Sequence, residues 1–139
     1  MLAETVQDVV DVINSGTYSS AVTAEVTWVP KPDDKDPTLE CYVWCDDASF
    51  SRETRCPDLR FEGTIKVAVR EAVSVDVQSD VTSKISLVEE VISQVGTARV
   101  LSSGATFDDI SWSTVYDTQA LYEDSIFVSI FSINVRSII

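Results

Sequence analysis

Carboxylates are the side chains in this sequence that could perform acid–base or metal chemistry. The chain has 139 residues and no histidine, which removes the commonest general base, the usual serine and cysteine triads and most zinc sites. Three pairs of adjacent acids stand out: Asp46 and Asp47, Glu89 and Glu90, and Asp108 and Asp109. Because adjacent residues point to different faces of a strand or helix, we expect the acids of each pair to diverge. Solvated charge is therefore the default interpretation, and an enzyme would need carboxylates gathered from separate elements.

Neither the glycines nor the cysteines form a binding motif. The four glycines are too far apart in the sequence for a phosphate-cradling loop. Cys41, Cys45 and Cys56 lack the paired two-residue spacing of zinc modules. We expect Cys41 and Cys45 on one face of one strand, where four residues span about 13 Å, too far for a disulfide. The sequence predicts free, mostly buried thiols, a reducing cytoplasmic environment, no cofactor and no metal.

The charge balance argues against nucleic-acid binding. The chain carries 10 basic and 23 acidic residues, a net charge of -13, whereas binding to phosphates is supplied by clustered lysine and arginine. The acidity has two interpretations, solubility or a surface that DNA passes without sticking. The first residues lack the pattern of a signal peptide, and no apolar run approaches the roughly 20 residues that a bilayer requires. We therefore expect no membrane partner.

Periodicity predicts an α/β fold in which two helices pack on a mixed, mostly antiparallel sheet, as one domain over residues 1–139. Apolar residues at helical spacing predict helices from Ala3 to Ser15 and from Ser79 to Gly96. Alternating residues predict strands over 22–28, 39–45, 59–69, 98–101 and 110–116. The connection from Asp117 to Asp124 is polar, with room for one helical turn. No internal repeat or low-complexity tract is visible.

The last segment, Ser125 to Ile139, has apolar residues on both of its faces. Such a pattern is typical of a central strand with neighbours on both sides and layers on both faces. We therefore expect it to complete the sheet.

Two parts of the sequence are candidates for contact with a partner. Tyr42 and Trp44 form an aromatic strand face that either meets a partner or packs under a helix. Asp46 to Asp58 is predicted to be a polar loop with an exposed Phe50. Its arginines, Arg52 and Arg55, form a basic cluster with nearby Arg60 that either pairs with a neighbour's carboxylates or is solvated.

The order of elements resembles the tail terminator, or tail completion, proteins of long-tailed bacteriophages. The resemblance covers nearly the whole chain: an amphipathic helix, a strand ending at an aromatic and proline, a second strand, a loop with Ser-Arg, a third strand, a second helix and a terminal strand. The segments that carry it are Trp28–Pro30, Cys41–Cys45, Ser51–Arg52, Ile65–Val69 and Phe131–Ile133.

The resemblance implies a non-enzymatic subunit of a ring, usually a hexamer, that caps the last ring of tail-tube protein and ends tail polymerisation. It implies a virion protein of the tail or neck, assembled in the host cytoplasm. The implied partners are other copies of the chain, the tail-tube protein and the head connector or stopper, while DNA passes through the channel without binding.

A ring needs contacts between two different surface patches. We expect them at Tyr42, Trp44, Phe50, Arg52 and Arg55. Two other functions stay open: another neck or head-completion protein, or an acidic DNA-mimic inhibitor that binds a DNA-processing enzyme. An enzyme is a third, which the missing histidine disfavours.

Overall fold

One five-stranded sheet organises the chain. The computed structural model describes residues 2–27, 39–52, 59–73, 78–98 and 104–138. In chain order the elements are α1 (Leu2–Asn14), β1 (Ala24–Val26), β2 (Glu40–Arg52), β3 (Leu59–Ala72), α2 (Gln78–Gly96), β4 (Thr106–Thr114), α3 (Thr118–Asp124) and β5 (Ile126–Ile138).

The strands lie in the order β1-β2-β3-β5-β4. The β1–β2 pair is parallel and the other three pairs are antiparallel. The predicted fold class is confirmed, with α3 as a third and short helix. The last strand, β5, lies between β3 and β4, so its predicted central position is also confirmed.

The face of the sheet that carries the core is packed against α1 and α2, and we call it the covered face. The odd-numbered side chains of β3 and β5 between Ile65 and Val69 and between Phe127 and Val135 are buried there. Both helices contribute a valine-rich stripe to the same cluster: Val6, Val9, Val10 and Ile13 from α1, and Val88, Val91 and Val95 from α2. The helical spacing of these residues thus gives each helix one apolar stripe, and the two stripes cover one face of the sheet.

Polar contacts hold the two helices in place on the covered face. The Gln94 side chain donates to the Val12 carbonyl at 3.2 Å. Lys84 and Glu71 form an ion pair at 2.7 Å that joins α2 to the end of β3. The helices are therefore bound to each other and to the sheet by polar contacts as well as by apolar packing.

The opposite face of the sheet, formed by the even-numbered side chains of β3 and β5, has no helix on it in the part of the chain that the structure describes. We call it the open face. Its side chains at Val128 and Ile130 are half-buried, and none belongs to the core cluster. The described helices form a layer on one face of β5 only, so the expected second layer stays a prediction. Ala68 and Ile126 on the open face are nevertheless buried.

The polar loop predicted from Asp46 was also wrong as far as Arg52. β2 continues to Arg52 and pairs with β3 through to Leu59, so this segment is one arm of a hairpin. Its serines and aspartates favoured a loop, whereas antiparallel pairing satisfies the backbone of the segment. The remainder of the predicted loop, residues 53–58 with Arg55 and Cys56, lies outside the described residues.

Other boundaries moved by several residues. β1 is only three residues long, and β4 begins at Thr106 and ends at Thr114, earlier at both ends than expected. The predicted strand over 98–101 lies mostly outside the described residues, and Ala98 belongs to no strand. The predicted helical turn after Asp117 is present as α3, capped by the Asp117 carboxylate, which accepts from the backbone N–H groups of Gln119 and Ala120.

Cys41 and Cys45 are free thiols, as predicted, and both lie on the covered side of β2. Burial raises the pKa of the Cys41 thiol to about 12. No helix within the described ranges is long and apolar enough to cross a membrane.

Candidate functional site

The open face of the sheet presents its side chains in rows that run across the strands. Rows of residues cross it from strand to strand, and each row is defined by the observed register. The first rows are Tyr42–Ala68–Ile130–Thr114 and Trp44–Lys66–Ser132–Ser111; the next are Asp47–Thr64–Asn134–Asp109 and Ser49–Glu62–Arg136–Thr106. One end of the face is therefore partly apolar and the other end is polar and charged.

Two β-bulges shape the polar end. In β2 the register shifts between Cys45 and Asp47, which leaves Asp46 as an extra residue. In β4 the register shifts between Phe107 and Asp109, which leaves Asp108 as an extra residue. A bulge of this kind turns the side chain of the extra residue out of strict alternation.

The bulges overturn the expectation that adjacent aspartates diverge. Asp46 forms an ion pair with Lys66, and Lys66 belongs to the open face, as does Asp47, which pairs with Thr64. The second pair behaves in the same way. Asp108 forms an ion pair with Arg136, and Asp109 accepts from the Asn134 amide at 2.8 Å. Four aspartates from two strands therefore share one face, because a bulge breaks the alternation on which the prediction relied.

Basic residues neutralise much of this acidity. The open-face ion pairs are Lys66–Asp46 at 3.4 Å, Arg136–Asp108 at 2.9 Å, Arg60–Glu62 at 2.8 Å and Arg70–Glu40 at 3.5 Å. All four basic residues of this face, among those described, therefore have an acidic partner. Three of the pairs are exposed to solvent at both partners, so each of these contributes about 0–1 kcal/mol to stability. The Arg70–Glu40 pair is more buried.

A shallow depression of about 310 Å³ lies at the centre of the polar end. It is lined by both Asp47 and Asp109, together with Thr64 and Asn134. The Thr64 hydroxyl donates to the side-chain amide oxygen (Oδ1) of Asn134 at 3.0 Å, so the centre is closed by hydrogen bonds within the sheet. No group of three or more potential ligands able to hold a metal ion occurs among the residues described.

The third acidic pair lies elsewhere. Glu89 and Glu90 line a polar groove of about 530 Å³ between α2 and the segment that follows α1. Glu90 accepts from the Ser19 hydroxyl at 2.8 Å, so it fixes that segment to α2. Burial, followed by the nearby Cys41 and Glu90, raises the pKa of Tyr18 at this groove to about 12.

The predicted interface residues are divided between the two faces. Tyr42 and Trp44 lie on the open face, where Tyr42 is only 7% exposed and Trp44 is half-buried. The alternative that they pack under a helix was wrong for the described helices, which lie on the other face. Arg55 lies outside the described residues.

Phe50 and Arg52 lie on the covered side, beyond the helices. Phe50 pairs with Phe61, whose ring centroid is 5.3 Å away, and Phe50 is 56% exposed, as expected. The Asp46 bulge causes this division, since the even-numbered residues of β2 face one side before it and the other side after it.

The sequence did not predict a further exposed patch, which lies in and beside α3. Val115, Tyr116 and Tyr122 flank or belong to α3, and all three are exposed. The same segment carries Asp117 and Glu123 and has no basic residue. Tyr116 ends the predicted strand over 110–116 and Tyr122 lies in the polar connection that follows, yet only the structure shows that both are exposed.

Comparison with known proteins assigns no family or relative: no family model matches the chain, and no curated protein matches it.

Proposed function

We propose that this chain is the ring-forming subunit of a bacteriophage tail terminator, which caps the tail tube, ends its polymerisation and provides the surface for head docking. The observation that carries the proposal is the order of elements. A helix, three strands, a second helix and two further strands separated by the short helix α3 follow one another along the chain. The resemblance implies the same order without α3, and it expects a loop at Ser51–Arg52, which lie in β2.

The separation of the interface candidates supports a ring. A closed ring is built from head-to-tail contacts, in which one patch of a subunit meets a different patch of its neighbour. Trp44 on the open face and Phe50 on the covered side are two such patches on opposite sides of one strand. Aromatic side chains are enriched at the centres of interfaces.

The charge supports a passive channel. With a net charge of -13, the wall of a ring made of this chain repels DNA phosphates rather than retaining them. The proposed partners are further copies of this chain, the tail-tube protein and the head connector, and the proposed location is the tail or neck of the virion.

The first test is the mass and shape of the purified protein. Native mass spectrometry and negative-stain electron microscopy at high concentration should reveal a closed ring, with six subunits as the expected number. A species that stays monomeric or dimeric, both alone and with tail tubes, would favour the acidic inhibitor instead. A ring found at another position in the neck would favour a head-completion protein.

The second test distinguishes head-to-tail contacts from symmetric ones. Trp44→Asp and Phe50→Asp each remove one of the two patches, so neither variant alone should form rings. An equimolar mixture should form heterodimers, because the intact Phe50 patch of one variant meets the intact Trp44 patch of the other. A symmetric interface at either patch would instead let one variant pair with itself.

Tyr122→Asp is the matched control for these variants, since Tyr122 is 82% exposed and belongs to neither patch. Thermal melts should verify that all three variants are folded. Rings that form normally in both single variants would contradict the proposed interface.

A further inference from the structure

The sheet contains an internal two-fold relation that is visible in both the register and the sequence. The segment Cys-Asp-Asp-Ala-Ser-Phe-Ser of β2 matches Phe-Asp-Asp-Ile-Ser-Trp-Ser of β4. On the inner strands, Phe-Glu-Gly-Thr-Ile-Lys of β3 matches Phe-Ser-Ile-Asn-Val-Arg of β5. The expectation of no internal repeat was therefore wrong for the sheet, because the matching residues are short and dispersed.

The strand pairing obeys the same relation. Asp47 pairs with Thr64, and the corresponding Asp109 pairs with Asn134. Thr64 pairs with Asn134 itself, so the pseudo-two-fold axis passes between these two residues, perpendicular to the sheet. The pairs on either side also correspond: Cys45–Ile65 with Phe107–Val135, Ala48–Gly63 with Ile110–Ile133, and Ser49–Glu62 with Ser111–Ser132.

The bulges and their ion pairs are repeated as well. The extra residue is an aspartate in both outer strands, Asp46 in β2 and Asp108 in β4. Each is paired with a basic residue of the adjacent inner strand, Lys66 for Asp46 and Arg136 for Asp108. A bulge with an ion-paired aspartate therefore occurs twice in the sheet, once in β2 and once in β4.

Both bulges lie on strands whose outer side has no partner strand among the described residues. β1 pairs with β2 only at Cys41–Val43, so in the described part of the chain no strand pairs with the outer side of Trp44–Arg52. β4 ends the strand order on the other side. Unpaired edges of this length are templates for pairing with another chain, and natural proteins block them with bulges and with charged residues held against the sheet.

We infer that the Asp46 and Asp108 bulges prevent the edge strands of this chain from pairing with those of a second copy. We call these two bulges the guards. Each bulge interrupts the ladder that an incoming strand would read. Each aspartate adds a charged group to the edge strand and is held against the sheet by a basic residue of the inner strand. The inference does not depend on the proposed ring, but it requires any ring to form through surfaces other than these edges.

The test removes the bulges by deleting Asp46 and Asp108 together. Deletion of the extra residue restores simple alternation around each site, so the neighbouring side chains of β2 and β4 keep their faces. The second register shift of β4, between Ser111 and Thr114, remains in this variant. We expect the variant to form species of at least roughly twice the mass of the parent protein at equal concentration, and to grow further with concentration. Sedimentation velocity measures this growth.

Hydrogen exchange identifies the surface that associates. The backbone amides of Trp44–Arg52 and Thr106–Thr114 that point outward should exchange rapidly in the parent protein and become protected in the deletion variant. Deletion of Ser20, an exposed residue between α1 and β1, is the matched control and should leave both mass and edge exchange unchanged.

Each outcome decides the inference. A folded deletion variant with the mass of the parent overturns it, and so does association without edge protection. A parent ring with protected edge amides also overturns it while supporting the proposed ring. A parent that forms no ring but has rapidly exchanging edges supports the guards and contradicts the proposed function.

A second variant decides the question if the deletion variant does not fold. Replacement of all four aspartates, Asp46→Ser, Asp47→Ser, Asp108→Ser and Asp109→Ser, keeps the chain length and removes the charges. Concentration-dependent association with protection at both edges supports the guards. The parent's mass and edge exchange in this variant overturn the role that the inference gives to the aspartate charges.

Discussion

The two faces of the sheet differ in what their residues do. On the covered face, Phe131 and Ile133 are fully buried against two helices and hold the fold together. On the open face, the adjacent Ile130 and Ser132 are half-buried and lie beside ion pairs that contribute little to stability. Adjacent residues of one strand therefore differ in how much they contribute to stability.

The largest expected effect sharpens this comparison with adjacent residues of β5. Phe131→Ala should lower the free energy of unfolding by about 3–5 kcal/mol, because it opens a cavity under both helices. Ile130→Ala should cost about 1 kcal/mol, because its side chain is only half-buried. Urea titration of both variants measures the difference, and equal losses would mean that the open face is as tightly packed as the core.

The buried thiol gives the covered face a dependence on alkaline pH. The pKa of Cys41 is raised from 9.0 to about 12 by burial, so between these values the folded chain keeps a proton that the unfolded chain has lost. Stability is complete below about pH 9 and falls above it, by at most about 1.4 kcal/mol per pH unit for this group. Cys41→Ala should flatten the fall in urea midpoint between pH 9 and 10.5. An unchanged slope would assign the fall to other groups.

Loss of one hydrogen bond across the covered face should have a smaller effect. The Trp112 indole N–H donates to the Ser129 hydroxyl at 2.8 Å, and that hydroxyl donates to the Thr114 carbonyl at 3.1 Å. Trp112→Phe should cost about 1–2 kcal/mol, because the buried Ser129 oxygen loses its donor. If the added change Ser129→Ala restores none of this loss in chemical unfolding, the cost came from packing.

The open-face ion pairs should show the smallest effect. Lys66→Met and Arg136→Met should each change the free energy of unfolding by about 0–1 kcal/mol, since the pairs are exposed to solvent. Salt titration of the parent and both variants provides an independent measure, and the difference in stability between parent and variant should stay nearly constant as salt is added. A loss of several kcal/mol in either variant would contradict the division of roles between the faces.

The sequence predicted those features that depend on periodicity. The valine stripes of α1 and α2, the alternation of β3 and the central position of β5 all follow from spacing, and the fold class follows from them. Free Cys41 and Cys45 were predicted from strand geometry alone.

The bulges could not be read in the same way. A bulge inserts one residue without changing composition, so the alternation after Asp46 is shifted by one position and resembles a loop. The aspartates therefore seemed to diverge, and Phe50 seemed to lie in a loop rather than on a strand. Pairing between distant strands, such as Thr64 with Asn134, is set by tertiary contacts that a single sequence does not contain.

The positions of Trp112 and Trp44 on opposite sides of the sheet also have a spectroscopic consequence. Trp112 lies on the helix side of the sheet and Trp44 on the other side, so a Trp28→Phe background leaves one indole for each face. Fluorescence lifetimes of this protein then report on the two sides separately. The Trp112 signal follows the integrity of the core during unfolding, while the Trp44 signal responds to whatever the outer surface meets.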